Sequence, residues 1–433
     1  MDRLLAYAFS IGLLGLAWLL RRGAGTWGTP AGLLCTYWFL FSFIPLLAVP
    51  SAPVNPLSVA FIFLACLAFS MPAFLVRWRD CFRVNTGHVT VRDHYLDGRF
   101  VWTVFLVSCP LSILFVLADF LVQGMGMREL IFNFFQSANE YLAKRYEGEV
   151  QRNFFGQSGL ILAYMASTTG GLLYASHHTT RRGRVLVAAM LPSIAILLVQ
   201  AAKGMFFMSI ALVLGGVWLY RTLMDVRPHV DVRGLFSYFR YLPAVLALVI
   251  VSFLTRGLYE MEDTSEVLGV LLSYLRAYAF MHLYAFSDWF SFHLGQPSLL
   301  LYTAEPPALG FFSFIAIFRL LGSTKEVPPG VYDEYFFIEG TNPGNLYTIF
   351  RGLIIDFGLV GSLVSMLVCG YLVNSIYRHM LVTPRPAVSV GVMFIYVNML
   401  YTAYIISAFM WLTTIVVGVL TIMLFVLARW SRR

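Results

Sequence analysis

Long apolar runs recur along this chain and are separated by short polar segments. A run of about 17 to 25 apolar residues can cross a ~30 Å hydrocarbon core as an α-helix that rises about 1.5 Å per residue. The runs are continuous rather than alternating, so they predict helices and exclude the strands of a barrel. Eleven spans are predicted: 4–20, 30–49, 57–76, 100–122, 158–176, 185–201, 204–220, 241–255, 352–376, 387–406 and 408–428. The predicted fold class is all-α, a polytopic helical bundle in which residues 1–433 form one membrane domain.

Two long segments, 123–157 and 256–351, interrupt the helices and are predicted to lie on the same side of the membrane. The second segment contains helix-like stretches at 266–294 and 309–322. Its many aromatic residues favour an ordered cap in or on the membrane interface over a disordered loop. If these stretches enter the bilayer, the chain has twelve or thirteen spans.

Composition and charge then set the orientation. The chain is 59% hydrophobic and 12% charged, with mean hydropathy +0.76 and net charge +8. Most basic residues collect in the short segments on the side of the carboxyl terminus, which the positive-inside rule assigns to the cytoplasm. The amino terminus and both long segments are therefore expected outside. This distribution accounts for the positive charge without a nucleic-acid partner.

Several cations on the outer side lie in apolar or tightly folded surroundings. Lys203 occupies a turn between two spans, and Arg276 and Arg319 lie inside apolar stretches. A guanidinium in such a place needs an anion, and its planar fork suits phosphate. Pairing with a protein carboxylate, or snorkelling to the interface, is the alternative for each. Arg145 belongs to a segment whose charge spacing, Lys144 with Glu147 and Arg145 with Glu149, also suits an ordinary solvated helix face.

Two outer carboxylates have apolar neighbours, Asp288 and Asp356, and such surroundings suit a general acid or base. An ion pair with an arginine is the competing interpretation. On one continuous helix Arg276, His282 and Asp288 point about 120° apart, so they cannot all line one site.

Metal chemistry is not favoured. Only two histidines, His282 and His293, lie in the predicted outer segments, and they form no metal-binding motif. No cofactor is expected, apart from a weak possibility of Mg²⁺ at the acidic pair Asp333 and Glu334.

The segment Asn345–Arg351, NLYTIFR, followed by DFGLVG from Asp356, resembles the late signature of the Wzy-type oligosaccharide repeat-unit polymerases, also called O-antigen polymerases. Further elements occur in the family's order and extend the resemblance over most of the chain. They are the segment from Ala138 to Gly148, the turn Lys203-Gly204 and a large outer loop before the late signature.

The resemblance implies a bacterial inner-membrane glycosyltransferase, similar in architecture to the C-type glycosyltransferases. Such an enzyme transfers a growing glycan from undecaprenyl pyrophosphate onto a new lipid-linked repeat unit at the periplasmic face. It works among membrane lipids, with a flippase and a chain-length regulator of the same pathway as possible partners. The expected ligands of pyrophosphate, phosphate or glycan are Arg145, Lys203, His282, Arg276, Arg319, Asn345, Tyr347 and Arg351, and the expected base is Asp288 or Asp356.

Three alternatives remain open. An O-antigen ligase would use the same donor but transfer to a lipid A core. A lipid-linked oligosaccharide flippase or other transporter is disfavoured by the lack of inverted repeats and by the one-sided distribution of the charged, aromatic segments. A scaffold protein would not need arginines within apolar runs.

Overall fold

The computed structural model describes residues 1–92, 94–225, 239–254, 263–295, 309–325, 327, 332, 334–338 and 343–430. The described elements are helical apart from an isolated antiparallel bridge between Phe336 and Gly344. The helices are α1 Asp2–Ala24, α2 Pro30–Ala48, α3 Pro56–Phe74, α4 Trp78–Gly87, α5 Arg99–Val122, α6 Met127–Phe132, α7 Phe134–Tyr146, α8 Phe154–Ala175, α9 Arg182–Gln200, α10 Lys203–Met224, α11 Leu242–Leu254, α12 Thr264–Gly295, α13 Ile315–Leu320, α14 Thr348–Val382, α15 Ala387–Thr402 and α16 Leu412–Trp430.

Each of the eleven predicted spans overlaps a helix of the described chain, and the protein is a multi-pass helical membrane protein. In the described part of the chain, nine helices are long and apolar enough to cross a membrane: α1, α2, α3, α5, α9, α10, α12, α14 and α16. The helices α11 and α15 are shorter, with 13 and 16 residues. Helix α8 is long enough but is rich in Gly, Ser and Thr.

The stretches predicted in the large outer segment differ from each other in the structure. Residues 266–294 form most of α12, which is itself long and apolar enough to span. Within 309–322, helix covers only the six residues of α13, about 9 Å at 1.5 Å per residue, which is too short to cross. The exact number of crossings, and the assignment of 123–157 and 256–351 as outer loops, stay predictions.

The chain forms two compact units. Unit 1 comprises Met1–Val84, Leu272–Val382 and Met399–Thr414. Unit 2 comprises Asn85–Leu271, Thr383–Asn398 and Ile415–Arg433.

Unit 2 is built around α8, which packs against α5, α9 and α10. The small residues of α8 allow this close packing. A Cβ at Gly171 would lie 2.3 Å from the carbonyl oxygen of Val213, so only glycine lets the two backbones approach. Because other helices surround α8, it does not need the lipid-facing apolar side chains that the outer helices carry.

Unit 1 contains α1, α2, α3 and α14, and α14 packs closely on α3. Arg3 stabilises the carboxyl end of α2, where its guanidinium donates to the carbonyl oxygens of Leu46, Val49 and Ala52. These carbonyls have no partner within the helix, and a cation there also complements the helix dipole.

Helix α14 is broken at Gly358, which has φ 70° and ψ 178°. This backbone conformation is essentially restricted to glycine. The break leaves a short first segment, residues 348–357, that carries both Arg351 and Asp356 of the late signature. The predicted span 352–376 therefore corresponds to an interrupted helix that begins at Thr348.

Candidate anion-binding site

Arg351 lies in the first turn of α14 and its side chain is fully buried. Three aromatic rings surround the guanidinium. Its central carbon lies 4.0 Å from the ring centroid of Tyr332, 4.2 Å from that of Tyr347 and 5.2 Å from that of Trp289. Such contacts stabilise a desolvated cation, and arginine is the cation whose flat face can stack on rings.

The hydrogen bonding of Arg351 is incomplete within the described residues. Its Nη2 donates to a carboxylate oxygen of Glu334, whereas Nε and Nη1 have no partner there. Leaving buried donors of a charged group unpaired costs more than the ~1–3 kcal/mol typical of a neutral group. The free N–H groups therefore point to a ligand that carries negative oxygen atoms.

Further donors without a partner in the described chain belong to two residues whose rings contact this guanidinium and to one residue three positions before Arg351 in the sequence. They are the indole Nε1 of Trp289, the hydroxyl of Tyr332 and the hydroxyl of Thr348, all buried. Burial raises the pKa of the Tyr332 hydroxyl, although the neighbouring Arg351 lowers it, so this hydroxyl stays protonated and can donate. Gly352 allows the close approach, because a Cβ there would lie 3.2 Å from the Tyr332 hydroxyl oxygen. We name Arg351, Tyr332, Tyr347, Trp289 and Thr348 the Arg351 cluster.

The backbone at Thr348 supports the placement of Tyr347. Thr348 has φ 67°, an uncommon value for a β-branched residue, and α14 begins there. Tyr347 precedes the helix, and its ring contacts the guanidinium of Arg351. Asn345, also predicted to bind substrate, is half-buried in the extended segment just before them.

Asp356 has a structural position. One carboxylate oxygen accepts the backbone N–H of Phe312 at 3.1 Å, and the other accepts that of Ser313 at 2.6 Å. The carboxylate thus fixes the turn that precedes α13. These two backbone hydrogen bonds, and not the predicted ion pair with an arginine, hold Asp356. They give no support to its predicted role as the base.

The three predicted site residues on helix α12 differ in burial. His282 is buried, and its Nε2 lies 2.7 Å from the carbonyl oxygen of Phe41 on α2, whereas its Nδ1 has no partner among the described residues. The expected substrate contact of His282 stays a prediction. Arg276 and Asp288 are exposed. Neither belongs to the Arg351 cluster, to which α12 contributes Trp289. Arg319 is half-buried in the last turn of α13.

The remaining predicted residues belong to unit 2. Lys203 is buried at the start of α10, where its Nζ donates to the carbonyl oxygen of Ser252 at 3.1 Å and lies 3.9 Å from the ring centroid of Phe253. It therefore joins α10 to the end of α11. Arg145 is exposed on α7.

The charge pairs predicted on α7 are corrected by the structure. Lys144 pairs with Glu140 at 3.0 Å, one turn before it, and not with Glu147. Glu149 lies beyond the end of the helix at Tyr146, so helical spacing no longer relates it to Arg145.

The sequence analysis did not identify two sets of residues. Trp289, Tyr332 and Glu334 were not assigned to Arg351, because contacts between distant segments leave no local pattern. Glu334 was considered only as half of an acidic pair for Mg²⁺. Its carboxylate instead pairs with Arg351, and Asp333 lies outside the described residues.

The other missed residue is Asp119, in the last turn of α5. Its buried carboxylate accepts hydrogen bonds from Tyr141 at 3.0 Å, Asn153 at 2.6 Å, Gln200 at 2.9 Å and Gln123 at 3.2 Å. A single aspartate inside an apolar run was the available signal. These bonds connect α5 to α7, to α9 and to the start of α8.

Comparison with protein-family models, with curated proteins and with solved structures gives no match to this chain. The resemblance to the Wzy-type polymerases thus depends on the residues quoted for it.

Proposed function

We propose that this protein is a glycosyltransferase that polymerises oligosaccharide repeat units linked to undecaprenyl pyrophosphate. It transfers the growing glycan to a new lipid-linked repeat unit and releases undecaprenyl pyrophosphate, in the synthesis of O-antigen, enterobacterial common antigen or an exopolysaccharide. The observation that carries the proposal is the Arg351 cluster, a buried cation whose Nε and Nη1 have no partner among the described residues, in the segment that resembles the polymerase signature.

The chemistry of the cluster suits a lipid pyrophosphate. A diphosphate has many acceptor oxygens and a high negative charge, and charge-assisted hydrogen bonds to it are about twice as strong as neutral ones. Nε and Nη1 of Arg351 bring three N–H groups, and the hydroxyls of Tyr332 and Thr348 can add two more donors.

The same donors can act in the reaction itself. When the glycosidic bond to the donor breaks, the leaving pyrophosphate gains negative charge. Donors fixed in a site with little water stabilise this charge without reorganising, and that is how such groups lower a reaction barrier. The amino end of α14 adds the positive end of a helix dipole.

A carboxylate must accept the proton of the acceptor hydroxyl. We assign this role to Asp288, because both oxygens of Asp356 already accept backbone N–H groups. Asp288 is exposed on α12, one residue before Trp289, and can therefore meet an acceptor that arrives from outside unit 1. Lys203, Arg145, Arg276 and Arg319 stay proposed contacts of phosphate or glycan, and the proposed location is the inner membrane with the active site on the periplasmic side.

The deciding experiment uses purified protein in nanodiscs with the host's undecaprenyl pyrophosphate-linked repeat unit and no nucleotide sugar. A ladder of longer glycans together with released undecaprenyl pyrophosphate supports a polymerase. No extension of intact, bound substrate overturns the proposal. Transfer that occurs only after a lipid A core is added identifies an O-antigen ligase, and movement of the substrate across the membrane without transfer identifies a flippase.

A further inference from the structure

Two histidines and one aspartate meet in unit 2, where the chain enters α5 and leaves α8. His94 and Asp97 precede α5, and His178 follows α8. Their potential ligand atoms, one from each residue, all lie within 4.8 Å of one another. The carboxylate of Asp97 is buried, whereas both histidines are exposed.

The carboxylate of Asp97 is held in a fixed orientation by two hydroxyls. Its Oδ2 accepts hydrogen bonds from Ser176 at 2.5 Å and from Tyr220 at 3.2 Å. The Ser176 oxygen in turn accepts the backbone N–H of His178 at 3.0 Å, which couples the carboxylate to that histidine's position. Hydrogen bonds of this kind to the oxygen that does not bind the ion are typical of metal-ligating carboxylates.

The other oxygen of Asp97 faces the imidazoles. Oδ1 lies 3.9 Å from Nδ1 of His94, and the rings of His94 and His178 stack with their centroids 4.2 Å apart. The backbone of His94 has φ 54°, an uncommon value for a residue other than glycine. Uncommon backbone conformations of this kind cluster at functional sites.

We propose that His94, Asp97 and His178 bind a divalent transition-metal ion of the Zn²⁺ class. Zn²⁺ takes imidazole nitrogen and carboxylate oxygen at about 2.0–2.2 Å, which in a tetrahedral site puts the ligand atoms roughly 3.4 Å apart. The exposed imidazoles reach this spacing by rotating about their side-chain bonds, while the buried carboxylate stays in place. Mg²⁺ and Ca²⁺ prefer oxygen ligands and are disfavoured by two imidazoles.

The ion links the segment before α5 to the segment after α8. Three protein ligands leave at least one coordination position open to water or to another ligand. Since the ion binds the folded chain, it stabilises unit 2 by an amount that grows with the logarithm of its free concentration relative to its Kd. The site is independent of the Arg351 cluster, which belongs to unit 1.

The test titrates the full-length protein in detergent, without an affinity tag and after treatment with a chelator, with Zn²⁺ alone at pH 7. Calorimetry gives the number of ions and the Kd, and Co²⁺ absorption reports the coordination geometry. We expect one ion per chain, with at least about tenfold weaker binding in His94→Ala, His178→Ala and Asp97→Asn, since each removes a ligand. The matched control is His177→Ala, in the same segment, whose ring lies 3.3 Å from Asp225 instead; it should bind Zn²⁺ like the wild type.

A second measurement separates ligand loss from unfolding. Each variant is melted without metal and with a saturating concentration of Zn²⁺. A wild-type Tm that rises with Zn²⁺, together with an unshifted Tm in the ligand variants, supports the site. Absence of Zn²⁺ binding by the wild type, or unchanged binding in both histidine variants, overturns it.

Discussion

The guanidinium of Arg351 lies over the ring of Tyr332, with its central carbon 4.0 Å from the ring centroid. This contact depends on the flat shape of the guanidinium as much as on its charge. A lysine ammonium at position 351 would keep the charge but would lose the planar fork of N–H donors. Tyr332 lies at a bend, and Arg351 lies in the first turn of α14.

The first prediction concerns the chemistry of Arg351. We expect Arg351→Lys and Arg351→Ala each to slow glycan extension about 100-fold, the size of effect seen when one preorganised donor to a developing charge is removed. The measurement is the rate of ladder formation by purified protein in nanodiscs. Arg79→Lys, at an exposed position on α4, is the control and should extend at the wild-type rate. A wild-type rate in Arg351→Lys would exclude the proposed role of the fork.

A second prediction separates ligand binding from a structural ion pair. Glu334→Gln removes the carboxylate that pairs with Arg351 but keeps the shape of the side chain. If Arg351 binds a diphosphate, this variant should bind inorganic pyrophosphate at least as tightly as the wild type, because a competing negative charge is gone. Calorimetry measures the Kd. A loss as large as that of Arg351→Lys would mean that the pair only holds the fold.

Asp288 and Asp356, the two residues predicted as candidates for the base, should respond differently to substitution by asparagine. Asp356→Asn replaces one acceptor of a backbone N–H by a donor, so we expect the free energy of unfolding to fall by about 1–3 kcal/mol. Asp288→Asn alters an exposed side chain and should leave stability unchanged while abolishing extension. Thermal melts and ladder rates on the same preparations check both. Full extension by Asp288→Asn would remove it as the base.

The break in α14 predicts a cost for any side chain at residue 358. Gly358→Ala should lower the free energy of unfolding by about 1–3 kcal/mol, since alanine cannot adopt φ 70° with ψ 178° without strain. The matched control is Gly269→Ala inside α12, where a Cβ has open space and alanine favours helix by up to ~1 kcal/mol. Equal melting temperatures for the two variants would contradict the broken helix.

The buried carboxylate of Asp119 predicts a large loss of stability in unit 2. Asp119→Ala leaves the Tyr141, Asn153 and Gln200 side chains without their acceptor, so we expect a loss of at least about 3 kcal/mol in the free energy of unfolding. Glu140→Ala removes a half-exposed ion pair with Lys144 and should cost less than about 1 kcal/mol. Chemical denaturation of both variants measures the difference, and similar losses would mean that the Asp119 bonds are not coupled to folding.

The membrane helices were predictable because their signal is local. A long run of apolar residues predicts a membrane helix wherever it lies in the chain, since a backbone in lipid must satisfy its hydrogen bonds internally. The prediction of a helix was wrong where contacts with other segments determine the local structure more than the composition of the apolar run does. Residues 309–322 read as a helix, yet only α13 forms, because the preceding turn is fixed by Asp356 from another segment.

The candidate site was predictable only in part. The sequence singled out Arg351 and Tyr347, because a charged and an aromatic side chain next to an apolar run are unusual. The sequence could not show that Trp289 and Tyr332 contact the same guanidinium. It also could not show that His282 contacts a carbonyl oxygen of α2. These partners lie many residues away, and no periodic pattern connects them.

By itself, the sequence determined that this chain is an all-helical, multi-pass membrane protein, and it selected the late signature as a place for chemistry. Only the tertiary structure decided which groups surround each predicted cation. Lys203 donates to a backbone carbonyl, whereas Nε and Nη1 of Arg351 have no partner among the described residues and lie among aromatic rings. The physical reason is that hydrophobicity acts along the chain, but the partner of a buried charge is chosen by how distant segments pack.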